Sequence, residues 1–471
     1  MQRLNPTEHD CWQNLKKISA QGHIKTHLHH GDLNLHIHHQ KCHAKILKLL
    51  CKLAEQQGLD HARQDWLKNG CQDSQSPYYT NLRSFTNTNH DYQDILYGRH
   101  LTEKTASMIR KKQWRGFLDT PITDVVNIGM GGSDLGPKLC CEALASFKTT
   151  DIRVHFISDA DAHAFKACLN TLNPSTTLFL VSSKSFATEE TLHNAKKALQ
   201  WMNHPAALEK NFIAITAYPK RAKALGFHHI LPICEWVIGR FSCFSAINLI
   251  TAILIGKEAF EAFLMGACDM DKHFLNTPMT ENLPMMLALL GIWNINFLNI
   301  QSHLLLIHDA RLSQFLNYIQ QLDMESNGKA VNWHGETIDY PTSPILWGGL
   351  GNPAHHSYYQ FLAQGSHQVA IDFISVACPE NSFMQTLCNH RKAVLHHGVQ
   401  SENQVKYAIR PQVAINHIHI SKLTPYHLGA LIALYEHKVF TQAWLWNINP
   451  FDQPGVEMAK KQIQAHRELQ T

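Results

Sequence analysis

The chain has 471 residues, 44% hydrophobic and 17% charged, which is too long for one ordinary domain and apolar enough for two cores with extensions. Lysine plus arginine exceed aspartate plus glutamate by only 42 to 38, a near balance that argues against a dedicated nucleic-acid or membrane-surface protein. The 12 cysteines are dispersed apart from Cys140 and Cys141, with no paired CxxC framework for zinc or redox work.

The opening segment, MQRLNPTEHDCWQNLKK, lacks the apolar core of a signal peptide, and the apolar runs at 246–255 and 283–291 are too short to span a bilayer. A cytoplasmic protein without a membrane anchor is expected. Histidines 27, 29, 30, 36, 38, 39 and 43 crowd one stretch, and such density can bind metal. The alternation of Leu33, Leu35 and Ile37 with Asn34, His36 and His38 instead predicts a half-exposed strand with a polar outer face. Imidazoles with no acids to fix their orientation make a poor metal site, so none is assigned. The rest of residues 1–115 is helical and irregular in pattern, and this extension is expected to pack around the first domain.

From about residue 120, β-branched runs at 125–128, 154–157, 178–182, 212–215 and 229–233 alternate with helical patterns. That rhythm predicts a parallel sheet with crossover helices, placed at 116–275. After the first strand comes IGMGGSDLGP (128–137), whose glycines can let backbone N–H groups approach an anion at the start of a helix. Two nucleotide loops are excluded: Asp134 stands where the dinucleotide pattern needs its third glycine, and Pro137 where the Walker pattern needs lysine. The alternative is a tight strand-to-helix turn with no ligand.

The third strand of this block runs into SSKSFAT (182–188). Ser183, Lys184, Ser185 and Thr188 at a helix N-terminus can surround a phosphate. Equally, Ser185 or Thr188 followed by glutamates can serve as a helix cap. Then CEWVIGRFSCFSAI (234–247) sets Arg240 after one glycine and before an apolar helix, able to hold an anion or to pair with an acid such as Glu235.

A polar break with Pro278 and Pro284 leads to a second α/β block, 284–450, with strands predicted at 304–307, 345–347 and 369–374. Within it YIQQLDMESNGK (318–329) sets Gln321 and Glu325 in a polar run that a buried helix or strand would not be expected to carry. The segment WGGLGNPAHHSYYQFLAQG (347–365) holds the adjacent His355 and His356. The end of the chain, NPFDQPGVEMAKK (449–461), supplies Gln453, Glu457 and Lys460, with a helix predicted from 456 to about 469.

These segments, in this order from about residue 125 to 461, closely resemble the signatures of the phosphoglucose isomerase (glucose-6-phosphate isomerase) family; residues 1–120 match only faintly. The resemblance implies an α/β protein of two flavodoxin-like sugar-isomerase (SIS-type) domains with parallel sheets flanked by helices, plus the N-terminal extension and a C-terminal helix, 451–471. It implies reversible conversion of glucose 6-phosphate to fructose 6-phosphate, a step of glycolysis and gluconeogenesis. Ring opening is followed by proton transfer through a cis-enediol, with no cofactor and no metal.

By the same resemblance Glu325 is the base that moves the carbon-bound proton and Arg240 stabilises the enediolate. His356 and Lys460 serve ring opening, without it being readable which of them moves the proton. Ser183, Lys184, Ser185 and Thr188 hold the phosphate, while Gly132, Ser133, Gln321 and Gln453 help fix the substrate. The family is homodimeric, with the histidine of one subunit reaching the other's site. Five positions depart from its pattern: Ile238 for a glycine, Gly349 where an acid is frequent, Pro353 in the turn before His356, His355 where glutamine is usual, and Pro454 for a bulky residue. A broader isomerase that also takes mannose 6-phosphate, or a non-catalytic sugar-phosphate-binding regulator on the same domains, are the alternatives. The regulator has no need of Glu325, His356 and Lys460 together.

Overall fold

Runs of β-branched and aliphatic residues that are apolar on both faces must be covered on both sides, and the predicted strands at 125–128, 178–182, 212–215 and 369–374 meet that condition. In the computed structural model, which describes residues 4–20, 22–24, 27–69, 79–85, 92–401, 405–412 and 414–468, eleven strands are assigned. They are β1 (His27–His30), β2 (Leu33–Gln40), β3 (Asp124–Gly129), β4 (Arg153–Ile157), β5 (Thr177–Ser182), β6 (Phe212–Thr216), β7 (His229–Pro232), β8 (Ser302–Ile307), β9 (Ile345–Leu350), β10 (Ala370–Val376) and β11 (Ala414–Ile420).

β3 to β7 form an all-parallel sheet in the order β4-β3-β5-β6-β7, the flavodoxin winding. The second sheet runs β1-β2-β11-β10-β8-β9, and its last four strands repeat that winding in parallel. The expected α/β class with helix-flanked parallel sheets is therefore what forms. In both sheets the chain reverses its winding direction between the first and third strands, which opens a crevice at their carboxyl ends.

The N-terminal extension departs from expectation. Its β1–β2 hairpin does not pack around the first domain but completes the second sheet, β2 pairing antiparallel with β11. The predicted alternation is present, with Leu33, Leu35 and Ile37 buried. Alternation fixes which face is buried but not which edge the strand joins. Other parts of the extension do meet the first block: the helix Tyr92–Arg110 ends with Arg110 donating to the carbonyl of Ile253 at 2.6 Å.

The two blocks are joined by a buried helix pair, Lys257–Asn276 against Pro425–Leu445. A Cβ on Gly266 would lie 1.8 Å from the carbonyl oxygen of Tyr426, and one on Gly429 would lie 2.0 Å from that of Phe263. Only glycine permits backbones to approach so closely.

The histidines of the hairpin lie against β11 and the helix Ser382–His397. Nδ1 of His417 accepts from Lys392 Nζ at 2.8 Å while Nε2 faces Ser375 Oγ at 2.7 Å, which holds the ring neutral. Burial, with the neighbouring His27, His38, His396, His397, His419 and Lys392, pushes His36 down to about 4, His39 to about 3 and His417 to about 2. Below pH 6.5 the unfolded chain takes up these protons first, so stability is full above that pH and falls toward pH 4. Thermal unfolding is accordingly expected several degrees lower at pH 5 than at pH 7.5, with a smaller difference in His39→Leu.

Candidate active site

The loop after β3 and the loop after β5 flank the reversal point of the first sheet. Gly131 turns the backbone with φ +53°, and a Cβ on Gly132 would fall 2.1 Å from the carbonyl of Gly239. The glycine loop thus touches the segment bearing Arg240 backbone to backbone. Ser242 Oγ lies within hydrogen-bond reach of the carbonyls of Gly132, at 3.2 Å, and Gly239, at 2.7 Å. Ser133 is held through its carbonyl by Asn127 Nδ2 at 2.9 Å. Ile238 has φ −98° and ψ 139°, an extended conformation open to any residue, so its replacement of glycine costs the turn nothing.

Arg240 is only 2% exposed, yet its donors are well supplied. Nε donates to Ser326 Oγ at 2.7 Å, Nη1 to Gln453 Oε1 at 2.9 Å, and Nη2 to the carbonyls of Pro450 and Asp452. Burial pushes its pKa down to about 10, opposed by Glu325 and Asp452, and it stays cationic at neutral pH.

Glu325 ends a π-helical turn, Gln321–Glu325, that continues the helix Phe315–Gln320. Such a turn inserts a residue into the helix and re-aims its side chains. The Glu325 carboxylate accepts from Gln321 Nε2 at 3.0 Å and lies 3.6 Å from Arg240 Nη1, with the side chain 24% exposed. Gln321, expected to help fix the substrate, thus reaches the candidate base directly. The polar run around it is also not exposed: Asp323, Ser326 and Asn327 are buried. Asp323 pairs with buried Lys438 at 2.9 Å and accepts from Asn327 at 3.3 Å, so the polar groups are matched inside the protein.

The phosphate-loop candidates follow β5. Thr188 is the N-cap of the helix Glu189–Met202 but makes no capping hydrogen bond; its hydroxyl faces Ser183 Oγ at 3.1 Å instead. Ser185 Oγ accepts from the N–H of Ala187 at 3.2 Å. Of the two readings of this loop, the uncapped helix N-terminus suits an anion better. Burial lowers the Lys184 pKa, opposed by Glu235 and Glu457, which brings the Arg240 segment and the C-terminal helix into its field. Gln453 Nε2 donates to Glu457 Oε1 at 2.9 Å.

The chain therefore links Arg240, Gln321, Glu325 and Gln453 by direct contact, sets Gly132 against Gly239 beside them, and ties in Lys184 electrostatically. His356 and Lys460 are not drawn in. His356 is exposed at the end of the short helix Gly351–His355, its ring 5.3 Å from that of His355. Lys460 is exposed on the helix Pro454–Glu468, whose start Pro454 provides and whose Arg467 pairs with Glu189 at 2.6 Å. Sequence reasoning passed over Lys329, which is packed against the Glu325 turn. Its only sequence signal is its place at the end of MESNGK.

The description of the family "Phosphoglucose isomerase" matches residues 38–470, well upstream of the signatures. The glucose-6-phosphate isomerase of Legionella pneumophila (strain Paris) is 46% identical over 441 residues, covering 91% of this chain and 87% of that protein. That of Psychrobacter cryohalolentis is 43% identical over 82% of this chain and 76% of its own length. The crystal structure of a glucose-6-phosphate isomerase from Chlamydia trachomatis superposes with a TM-score of 0.90 at 25% identity, over 99% of this chain and 97% of that one. This chain belongs to the phosphoglucose isomerase family.

Proposed function

We propose that the chain interconverts glucose 6-phosphate and fructose 6-phosphate; its relatives bear the name glucose-6-phosphate isomerase. The observation that carries the mechanism is the Glu325 carboxylate, partly open and set between the Gln321 amide and the Arg240 guanidinium. Moving a carbonyl between C1 and C2 requires taking a proton from one carbon and returning it to the next. One carboxylate performs both transfers at carbon, removing the C2 proton of the opened aldose and delivering it to C1, while the proton of the C2 hydroxyl passes to O1 to leave the ketone at C2. Arg240 supports the negative charge that exists on the enediolate between these steps.

The sugar first has to open, which moves a proton from the C1 hydroxyl and brings one to the ring oxygen. His356 and Lys460 are assigned to this step. Ser183, Lys184, Ser185 and Thr188 take the phosphate, so that binding a group remote from the chemistry holds the carbon chain against Glu325. Gly132, Ser133 and Gln453 bound the space between. The two sheets are assigned to sugar-isomerase domains at 116–275 and 284–450. The protein is assigned to the cytoplasm as a homodimer in which His356 serves the partner's site.

A coupled assay on purified protein with glucose 6-phosphate tests the reaction, and absence of fructose 6-phosphate formation would sink it. The anchor is tested separately. Ser183→Ala with Thr188→Ala is expected to raise KM roughly tenfold or more, since each hydroxyl lost would have bonded a charged group. Inorganic phosphate should compete with substrate in the parent and only weakly in the double variant. Unchanged affinity for both would place the phosphate elsewhere.

A further inference from the structure

The ammonium of Lys329 stands where two separate parts of the site meet. Its Nζ lies 2.9 Å from each of the carbonyl oxygens of Glu325, Ser326 and Asp452, and 3.3 Å from the Asp452 carboxylate. The side chain is 8% exposed. An ammonium has three N–H donors spread tetrahedrally, one for each of these carbonyls; a planar guanidinium could not reach all three.

Two of the carbonyls belong to the turn that carries Glu325. The third belongs to the segment that presents Gln453 and runs into the helix Pro454–Glu468. Arg240 holds that same segment, through the carbonyls of Pro450 and Asp452 and the Gln453 amide. Asp452 O therefore receives two cationic donors, Lys329 and Arg240. None of these four contacts of Lys329 is to the Glu325 carboxylate.

We propose that Lys329 is a positioning residue for the isomerase reaction, bolting the Glu325 turn to the Gln453 segment so that base, guanidinium and C-terminal arm keep one geometry. This rests on the isomerase reading given above. Removing the bolt leaves the Gln321 and Arg240 contacts to the carboxylate in place but frees the backbone that aims it. A misplacement on the order of 1 Å costs about 10²-fold in rate.

Lys329→Met is therefore expected to lower kcat about 10²-fold, while the inhibition constant of the non-reacting alcohol glucitol 6-phosphate stays within about threefold of the parent. A general loosening of the fold would move both. A second readout needs no variant. Burial beside Arg240 pushes the Lys329 ammonium down to about 8, against the pull of Asp452 and Glu325, the acids that face it. The parent kcat should fall as pH rises through 8 while the bolt loses its charge, and the Met variant should be low and flat from pH 7 to 9.5.

A folded Met variant with parental kcat, or a parent profile flat through pH 9.5, would overturn the assignment. Should Met prevent folding, Lys329→Gln, which keeps an amide donor, should give an intermediate kcat, and a parental value there would also overturn it. A parent that turns over neither sugar phosphate sinks the isomerase reading and the bolt with it. An active parent with an unaltered Met variant sinks the bolt alone.

Discussion

Glu325→Gln is expected to lower kcat by about 10⁴-fold, equivalent to about 5.5 kcal/mol of transition-state stabilisation, with substrate affinity held within a few-fold. The amide has the size and shape of the carboxylate. It can still meet Gln321, whose own amide offers both a donor and an acceptor, and it leaves the Lys438–Asp323 pair under the turn intact. What it loses is the ability to accept a proton from carbon. A change confined to kcat is the mark of an interaction made only on the reaction path. The decisive measurement is exchange of the C2 hydrogen of glucose 6-phosphate with deuterium oxide, read in the presence of enzyme. Exchange should vanish together with turnover. Normal exchange in the variant would remove Glu325 from the base role, whatever happened to the overall rate.

The first sheet was legible because both faces of its strands are apolar and each is followed by a helical pattern. All five predicted runs fall on β3 to β7. The second sheet was harder. β11 was missed since its sequence, AINHIHI, places Asn416 and His417 at buried positions. They are tolerated because Asn416 bonds Asp372 and His417 bonds Ser375 and Lys392, partners far away in sequence. The same cause misled the reading of the Glu325 segment as one a buried helix would not carry, since Lys438, far away in sequence, pairs with Asp323 inside it. Motif segments marked the residues of the candidate site by their type and order. The contacts between them, such as Gly132 on Gly239 or Gln321 on Glu325, come only from the way the chain folds.

Two inactive variants, Glu325→Gln and His356→Ala, are expected to restore activity to each other when unfolded together and refolded as mixed dimers. Gln321, Glu325, Arg240 and Gln453 are linked in a chain of direct contacts, whereas His356 is exposed at the end of a short helix after β9 and has no contact with them. In the homodimer proposed above, an acid–base group placed there serves the partner's site. In a symmetric dimer each site would then draw its base from one subunit and its histidine from the other. A mixed dimer holds one site with both defects and one with neither. Equal amounts and random pairing make half the dimers mixed, each with one working site of two, so roughly a quarter of parental activity should return. Refolding either variant alone gives the baseline. If mixed dimers are isolated and remain inactive, the exchange between subunits fails, and His356 either acts within its own chain or takes no part in ring opening.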